Sequence, residues 1–146
     1  MFSANTRPRE IGVLIFDDFQ LLDAAGPISV FEMPVRGMSP PPSHLTVYSM
    51  AGGAVRSSSG VGMCSEKLPD NLTLDTLVVS GGEGTRDAMH DKDFLNVIRD
   101  LSSRTRRTTS VCSGAVLLAA AGLLDGRRAT THWRRCPDMA RHFPEV

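Results

Sequence analysis

A continuous apolar run, IGVLIF at residues 11–16, constrains the fold of this chain more than any other feature. Asp17 and Asp18 end the run abruptly. A strand with one face in water alternates apolar and polar residues, whereas a strand covered on both faces is apolar throughout. The run therefore predicts a central strand of a parallel sheet, with other elements packed on both of its faces.

Alternating strand and helix patterns fill the rest of the chain. Residues 45–50, 73–80 and 108–112 predict further strands, and the Gly/Ser-rich residues 51–63 predict a short hairpin or edge strands. This order predicts one domain over residues 1–146, a three-layer α/β/α sandwich with a mostly parallel central sheet.

Helices are predicted between these strands. The first has Pro27 in its first turn and runs through Phe31, since proline suits that position. The second begins at Asp91 or Asp93, which caps a segment with apolar residues at helical spacing. Both helices are expected to cover the sheet.

Composition excludes several classes of protein. The 146 residues are 41% apolar, enough for a buried core, and the formal charge is zero, so no general attraction to nucleic acid or membranes is expected. The chain has an odd number of cysteines, Cys64, Cys112 and Cys136, so a disulfide framework is not expected. Their spacing does not match a zinc site, and we expect neither a metal nor another cofactor. The N-terminus has no apolar signal-peptide core and no run is long enough to span a bilayer, so a cytoplasmic protein is predicted.

Candidate site residues follow three of the predicted strands. Residues 17–23 follow the first strand, residues 81–84 follow the strand at 73–80, and Cys112 ends the strand at 108–112. Ligand sites of parallel α/β sheets form at the carboxyl ends of the strands. Three segments at one edge of the sheet therefore predict a single site.

Cys112 stands between strand-forming residues and the small residues Ser113 and Gly114. A strand–cysteine–helix turn projects a side chain out of the sheet, as in a nucleophile elbow. The helix, predicted over residues 113–124 and ended by Gly126, brings its N-terminal N–H groups to the thiol, and we expect them to lower the thiol pKa. The alternative is a cysteine packed in the core at a crowded turn.

The sequence SGGEG at residues 80–84 predicts a second part of the site. Glycines let the backbone approach a ligand closely, so the N–H groups near Gly81, Gly82 and Glu83, together with that of Ser113, predict an oxyanion hole. A dinucleotide-binding loop does not fit, because no third glycine has the required spacing. The alternative is a tight strand-to-helix turn without a ligand.

Two further side chains are candidates for proton transfer. Asp23 is the one acid in the stretch LLDAAGP, where a carboxylate must be hydrogen-bonded or protonated, so we expect it to hold a proton near the thiol. The alternative for Asp23 is a helix N-cap before Pro27. His132 lies in a short strand or strand-like turn predicted at residues 128–133 and supplies a natural partner for a thiolate, although a lone histidine beside Trp133 is more often structural.

Three segments together resemble the ThiJ/PfpI superfamily, whose fold is shared with class I glutamine amidotransferases. They are IGVLIFDDFQLLDAAGPISVFE, LDTLVVSGGEGT and SVCSGAVLLAAAGLLDGRRATTHW, and they run through nearly the whole chain. The resemblance implies a flavodoxin-like sheet in which Cys112 stands on the elbow, Asp23 hydrogen-bonds it, and Gly81 and Gly82 form the oxyanion-hole loop. His132 matches the family histidine near the cysteine, whose catalytic role varies across the superfamily.

Two branches of the superfamily are the most similar. The tail THWRRCPDMARHFPEV is more like the amidase-like N-terminal domain of AraC-type transcriptional regulators. That likeness implies a ligand-sensing domain with a small molecule as its partner, and with DNA bound only through a C-terminal domain outside this chain. The alternative is a cysteine-dependent hydratase or hydrolase of the isonitrile hydratase type. A third interpretation is a stress-related or structural paralogue with an oxidisable cysteine.

The chain stops at Val146, where the family domain continues. We therefore expect the fold to lack its C-terminal elements. Such a sheet would leave an apolar edge exposed, which predicts either dimerisation, as a homodimer, or poor solubility.

Overall fold

The computed structural model describes residues 8–146. Strands and helices alternate along this range in the order β1 (Arg9–Leu14), α1 (Leu21–Glu32), β2 (Ser43–Ser49), β3 (Gly53–Arg56), β4 (Gly62–Lys67), β5 (Thr76–Val79), α2 (Thr85–Ala88), α3 (Lys92–Ser103), β6 (Arg107–Ser110), α4 (Gly114–Ala120) and α5 (Cys136–His142). Two 3-10 turns, Met33–Val35 and Trp133–Arg135, follow α1 and precede α5. We predicted that the N-terminus carries no signal peptide. That prediction concerns mainly residues 1–7, which lie outside the described residues.

The strands form one sheet in the order β3-β4-β2-β1-β5-β6. Paired strands are parallel except for the β3–β4 hairpin at one edge. β1 lies in the middle, where Val13 is opposite Val47 of β2 and Val78 of β5. The predictions of a central parallel strand and of a hairpin or edge strands in residues 51–63 are confirmed.

Both faces of β1 are buried, as its apolar run requires. Leu14 packs on one face with Ile98 of α3 and Leu117 of α4. The next side chain along the strand points to the opposite face, and there Val13 belongs to a cluster that includes Ala24 of α1. Because helices cover both faces of the sheet, the fold is the predicted three-layer α/β/α sandwich.

Helix α1 begins earlier than predicted. It starts at Leu21, and Pro27 lies in its interior rather than in its first turn. Proline removes the N–H that would bond to the carbonyl of Asp23, but Ile28 and its neighbours pack against the sheet, and this packing keeps the helix continuous. Asp23 therefore lies in the first turn of α1 and is not its N-cap, a position held by Gln20.

Helix α4 ends earlier than predicted, at Ala120. Gly122, not Gly126, ends it: φ of Gly122 is +73°, and the Leu123 N–H donates to the carbonyl of Leu118 at 2.9 Å. This is a Schellman cap, which needs a residue that tolerates positive φ. Of the short strand or strand-like turn predicted at residues 128–133, the strand does not form: none of the six strands of the described sheet includes that segment.

The second helix begins as predicted at an aspartate. The side chain of Asp91 accepts hydrogen bonds from the N–H groups of Asp93 and Phe94, and α3 follows. Among the helices of residues 8–146, none is long and apolar enough to cross a membrane.

The edge strand β6 is polar, in contrast to the apolar edge that we expected. Its sequence is RTTS, and none of its residues is fully buried. Just before β6, Arg106 donates two hydrogen bonds to the carboxylate of Asp75 and lowers the pKa of that carboxyl to about 2. An ion pair thus ties the start of β6 to the start of β5.

Two glycines in helices predict opposite effects of substitution by alanine. A Cβ on Gly114 lies 2.5 Å from the carbonyl oxygen of Val79, whereas a Cβ on Gly26, inside α1, meets nothing within 4 Å. We expect Gly114→Ala to lower the free energy of unfolding by about 1–3 kcal/mol through overpacking. Gly26→Ala raises it by about 0.5–1 kcal/mol, because glycine is a poor helix former. Urea denaturation followed by circular dichroism measures both, and equal effects would contradict the described packing of α4 on β5.

Candidate functional site

Cys112 occupies a sharp turn between β6 and α4. Its φ is +56°, a left-handed conformation that residues with a side chain rarely adopt. Hydrogen bonds hold the backbone on both sides of the turn: the Val111 N–H donates to the Val79 carbonyl at 3.0 Å, and the Thr131 hydroxyl donates to the Cys112 carbonyl at 3.1 Å. The strain is therefore maintained by the surrounding fold, an arrangement that is frequent at functional sites.

The turn needs small residues where β5, α1 and α4 meet. A Cβ on Gly81 lies 2.7 Å from both the Asp23 carboxyl and the Ser113 nitrogen. Gly114 is confined in the same way by the end of β5. Glycine at these two positions allows Asp23 and Cys112 to come together.

The Asp23 carboxyl is buried beneath the turn, with 7% of the residue exposed. Its Oδ2 accepts a hydrogen bond from the Gly81 N–H at 3.2 Å, and the Cys112 thiol lies close enough to change the pKa of the carboxyl. Burial raises the pKa of Asp23, and the hydrogen bonds from Cys112 and Gly81 and the charge of His132 reduce that rise without cancelling it. Asp23 therefore keeps its proton to higher pH than an exposed aspartate does.

The thiol of Cys112 does not have the lowered pKa that we expected. Burial raises the pKa of this thiol, and the negative charge of Asp23 raises it further. The Ser113 N–H, hydrogen-bonded to the sulfur, acts in the opposite direction and is outweighed. The N-terminal N–H groups of the short helix α4 follow the turn and would lower the thiol pKa. Desolvation and the neighbouring carboxylate raise that pKa by more.

The N–H groups of the glycine loop are engaged within the protein. The Gly81 N–H donates to Asp23, and the Gly82 N–H donates to Ser113 Oγ at 2.9 Å. The side chain of Glu83 is exposed and accepts a hydrogen bond from Arg86 at 3.0 Å. The structure thus brings the predicted loop beside Cys112, with the Ser113 N–H as the donor that faces the sulfur.

Thr85 is a part of this site that the sequence analysis missed. It is 1% exposed, and its hydroxyl donates to the Gly82 carbonyl at 2.7 Å and lies 3.4 Å from Ser113 Oγ. It therefore helps to orient the peptide beside the cysteine. Only its position one residue after the glycine loop singles it out in the sequence.

His132 lies in the wall of the same site but makes no hydrogen bond to Cys112 among residues 8–146. Its Nδ1 accepts the Arg134 N–H at 3.3 Å, and its ring lies 5.7 Å from the ring of Trp133. This places His132 near the Asp23 carboxyl rather than in direct contact with the thiol.

These residues line one cavity of about 490 Å³ at the carboxyl end of the sheet. Its wall contains Asp23, Cys112, Ser113, Gly82, Glu83 and His132, and it also contains Gln20, Thr85, Arg86, Arg134, Arg135 and Asp138. Of these, Thr85, Arg86, Arg134, Arg135 and Asp138 were not predicted, since a hydroxyl or a charged side chain outside a recognised motif carries no local signal for a site. Among residues 8–146, no group of His, Cys, Asp and Glu side chains could hold a metal ion.

A larger cavity, of about 740 Å³, lies elsewhere in the molecule. Phe16, Met50 and Phe94 contribute to its lining, and Cys112 and Asp23 do not. Size therefore does not identify the site here, and the smaller cavity is the candidate because it contains the thiol and the buried carboxyl.

The sequence of this chain matches the model of the DJ-1/PfpI family over residues 9–143. The chain belongs to that family. The resemblance to the ThiJ/PfpI superfamily that the three sequence segments indicated is thereby confirmed.

Relatives of this DJ-1/PfpI domain include both an enzyme and regulators. The chain is 38% identical over 138 residues to a protein from the cpoL 5' region of Streptomyces lividans, covering 94% of this chain and 96% of that one. It is 38% identical over 125 residues to isonitrile hydratase of Pseudomonas putida, covering 85% of this chain and 52% of that one. It is 29% identical over 143 residues to the HTH-type transcriptional regulator GbdR of Pseudomonas aeruginosa, covering 97% of this chain and 39% of that one. The chain thus spans about half of the hydratase and two fifths of the regulator.

Solved structures agree with the fold. A ThiJ/PfpI family protein from Pseudomonas syringae superposes with a TM-score of 0.81 at 29% identity, covering 96% of this chain and 56% of that one. An AraC family transcriptional regulator from Pseudomonas putida superposes with a TM-score of 0.69 at 20% identity, covering 94% of this chain and 74% of that one. The DJ-1/PfpI sheet and its flanking helices are therefore common to all three proteins.

The contacts of Cys112 predict the pH dependence of its reactivity. In a Cys64→Ser/Cys136→Ser background, the rate of alkylation by iodoacetamide should rise with pH and reach half its maximum above the pKa of about 8.5 of an ordinary thiol. Asp23→Asn should move the midpoint to lower pH, because it removes the negative charge that disfavours thiolate. Mass spectrometry of labelled protein across the alkaline range measures the midpoint. A midpoint that stays in place or rises in Asp23→Asn would contradict the described pair.

Proposed function

We propose that this domain performs cysteine-dependent chemistry on a small molecule, with hydration of an isonitrile as the reaction type. The observation that carries the proposal is the buried Asp23 carboxyl beside the Cys112 thiol in the wall of one cavity, with Cys112 held in a left-handed turn. A cysteine that only fills space needs neither a carboxyl partner nor a left-handed backbone, whereas covalent catalysis needs a nucleophile next to a group that moves protons. The 38% identity to an isonitrile hydratase supports this reaction type.

The raised pKa values of both groups suit this chemistry. They keep a proton within the Asp23–Cys112 pair at neutral pH, and the terminal carbon of an isonitrile accepts both a proton and a nucleophile. In the first step the sulfur bonds to that carbon while the thiol proton, passed through Asp23, is delivered to the same carbon. The product of this step is a thioimidate.

Water completes the reaction in a second step. It adds to the thioimidate carbon, one of its protons goes to nitrogen, and the carbon–sulfur bond breaks with its electron pair leaving on sulfur. The remaining hydroxyl proton returns to the thiol through Asp23, and an N-formamide leaves. The net change is the addition of one water, without an oxidant or reductant, and the Ser113 N–H is the donor placed to stabilise charge near the sulfur.

Turnover of cyclohexyl isocyanide tests the proposal. We expect the wild-type protein to form N-cyclohexylformamide, and Cys112→Ser and Asp23→Asn to be slower by at least about 100-fold, the size of a lost proton-transfer or nucleophilic group. Gas chromatography of the product measures the rates. Cys64→Ser is the matched control, because Cys64 lies exposed on β4, toward the opposite edge of the sheet from β6. Equal rates for wild type and Cys112→Ser would exclude the proposed nucleophile.

Ligand sensing without turnover is the second candidate function. It is supported by the HTH-type regulator GbdR, which aligns with 97% of this chain, and by the fold shared with an AraC family regulator. In this function the cavity binds a small molecule, and DNA is bound only through a domain outside this chain. Arg134 and Arg135, which belong to the tail that resembles the regulators, line the cavity and contribute to ligand binding in either function.

Ligand binding without product formation distinguishes ligand sensing from catalysis. If the cavity only senses, cyclohexyl isocyanide should raise the Tm of wild type and of Cys112→Ser equally, with no formamide produced. If the cavity catalyses, the formamide accumulates only with the wild-type protein. Differential scanning fluorimetry and product analysis on the same samples give both results.

A further inference from the structure

The guanidinium of Arg135 is poorly paired for a side chain that is mostly buried. Only 16% of the Arg135 side chain is exposed, and its Nε is buried without a hydrogen-bond partner. Among residues 8–146, its carboxylate contact is a single one, at 4.0 Å from Asp138. An arginine side chain has five N–H donors, and a buried donor without a partner costs free energy.

The carboxylates around the cavity are engaged elsewhere. Asp138 is shared with Arg141, which approaches its other oxygen at 3.9 Å. Glu83 accepts a hydrogen bond from Arg86. Asp23 is bound by the Gly81 N–H and Cys112, so none of these acids is free to satisfy Arg135 fully.

A second cation lies beside Arg135 in the same wall. Arg134 lines the cavity, and its guanidinium lies over the Trp133 ring at 4.9 Å. Among residues 8–146, no carboxylate lies within ion-pair distance of Arg134. A guanidinium stacked on an aromatic ring keeps its donors free at its edge, where a planar anion can be bound.

We propose that the molecule bound in this cavity carries a carboxylate, held by Arg135 with Arg134, while its reacting end lies at Cys112. This inference deepens the proposed function, since it specifies the substrate or ligand class of the same cavity. Arginine suits the role because its planar fork pairs with both oxygens of a carboxylate. Arg134 and Arg135 are thus specificity-determining residues, and an uncharged isonitrile is a minimal substrate that lacks the anchoring group.

Alkylation by two matched reagents tests the inference. Iodoacetate and iodoacetamide differ in one group, a carboxylate in place of an amide. With either reagent the sulfur bonds to the methylene carbon, iodide leaves with the electron pair of the carbon–iodine bond, and the thiol proton goes to the buffer. The measured quantity is the ratio of the iodoacetate rate to the iodoacetamide rate, taken at Cys112 and at the exposed reference thiol Cys64 in a Cys136→Ser background.

We expect the ratio at Cys112 to exceed the ratio at Cys64 by about tenfold, the size of one charge-assisted hydrogen bond. Arg135→Gln should lower the ratio at Cys112 toward that of Cys64, and Arg134→Gln should lower it in part. Arg36→Gln is the control for the loss of one positive charge, because Arg36 pairs with Glu32 at the far end of α1. It should leave the ratio unchanged.

The outcomes separate this inference from the proposed function. Equal ratios at Cys112 and Cys64 in the wild-type protein, or a ratio at Cys112 that Arg135→Gln leaves unchanged, would overturn the carboxylate site even if cyclohexyl isocyanide is turned over. A retained preference for iodoacetate without turnover would reject the hydratase and keep the site. If Cys112 reacts with neither reagent, binding decides: cyclohexanecarboxylate must raise the Tm of the wild-type protein more than cyclohexanecarboxamide does, and Arg135→Gln must remove the difference.

Discussion

The buried Asp23 carboxyl is the group on which the rest of this site depends. It lies in the first turn of α1, accepts a hydrogen bond from the glycine that follows β5 and is next to the cysteine that follows β6. Three segments far apart in the sequence meet at this carboxyl. They meet because β1, β5 and β6 are adjacent parallel strands, whose carboxyl ends lie along one edge of the sheet.

Burial gives this pair its chemical character. A carboxyl and a thiol that share a desolvated space both favour their neutral forms, and the single N–H of Ser113 at the sulfur does not reverse that preference. The result is a pair that retains a proton, unlike a cysteine activated as a thiolate by a histidine or a long helix. Proton delivery is consequently as central to the proposed chemistry as nucleophilic attack.

Much of the fold was predictable because it follows from local patterns. The apolar run at residues 11–16 predicted the central strand, and Asp91 predicted the start of α3. The predictions failed where packing overrode a local preference. Pro27 favoured a helix start, but the apolar face of α1 packs on the sheet from Leu21 onward. Gly122 ends α4, because its positive φ allows a Schellman cap there.

The sequence by itself determined which residue types stand after the central strands: an isolated acid, a glycine pair, and a cysteine followed by small residues. Such features depend on the order of residues and can be read locally. Only the tertiary structure decided how these groups act on one another. The pKa of Cys112 depends on its distance from Asp23 and on exclusion of water, and both arise from packing between distant segments. The roles of Thr85 and Arg135 were decided in the same way, since a hydroxyl or a guanidinium acquires a function from its burial and its partners rather than from its neighbours in the chain.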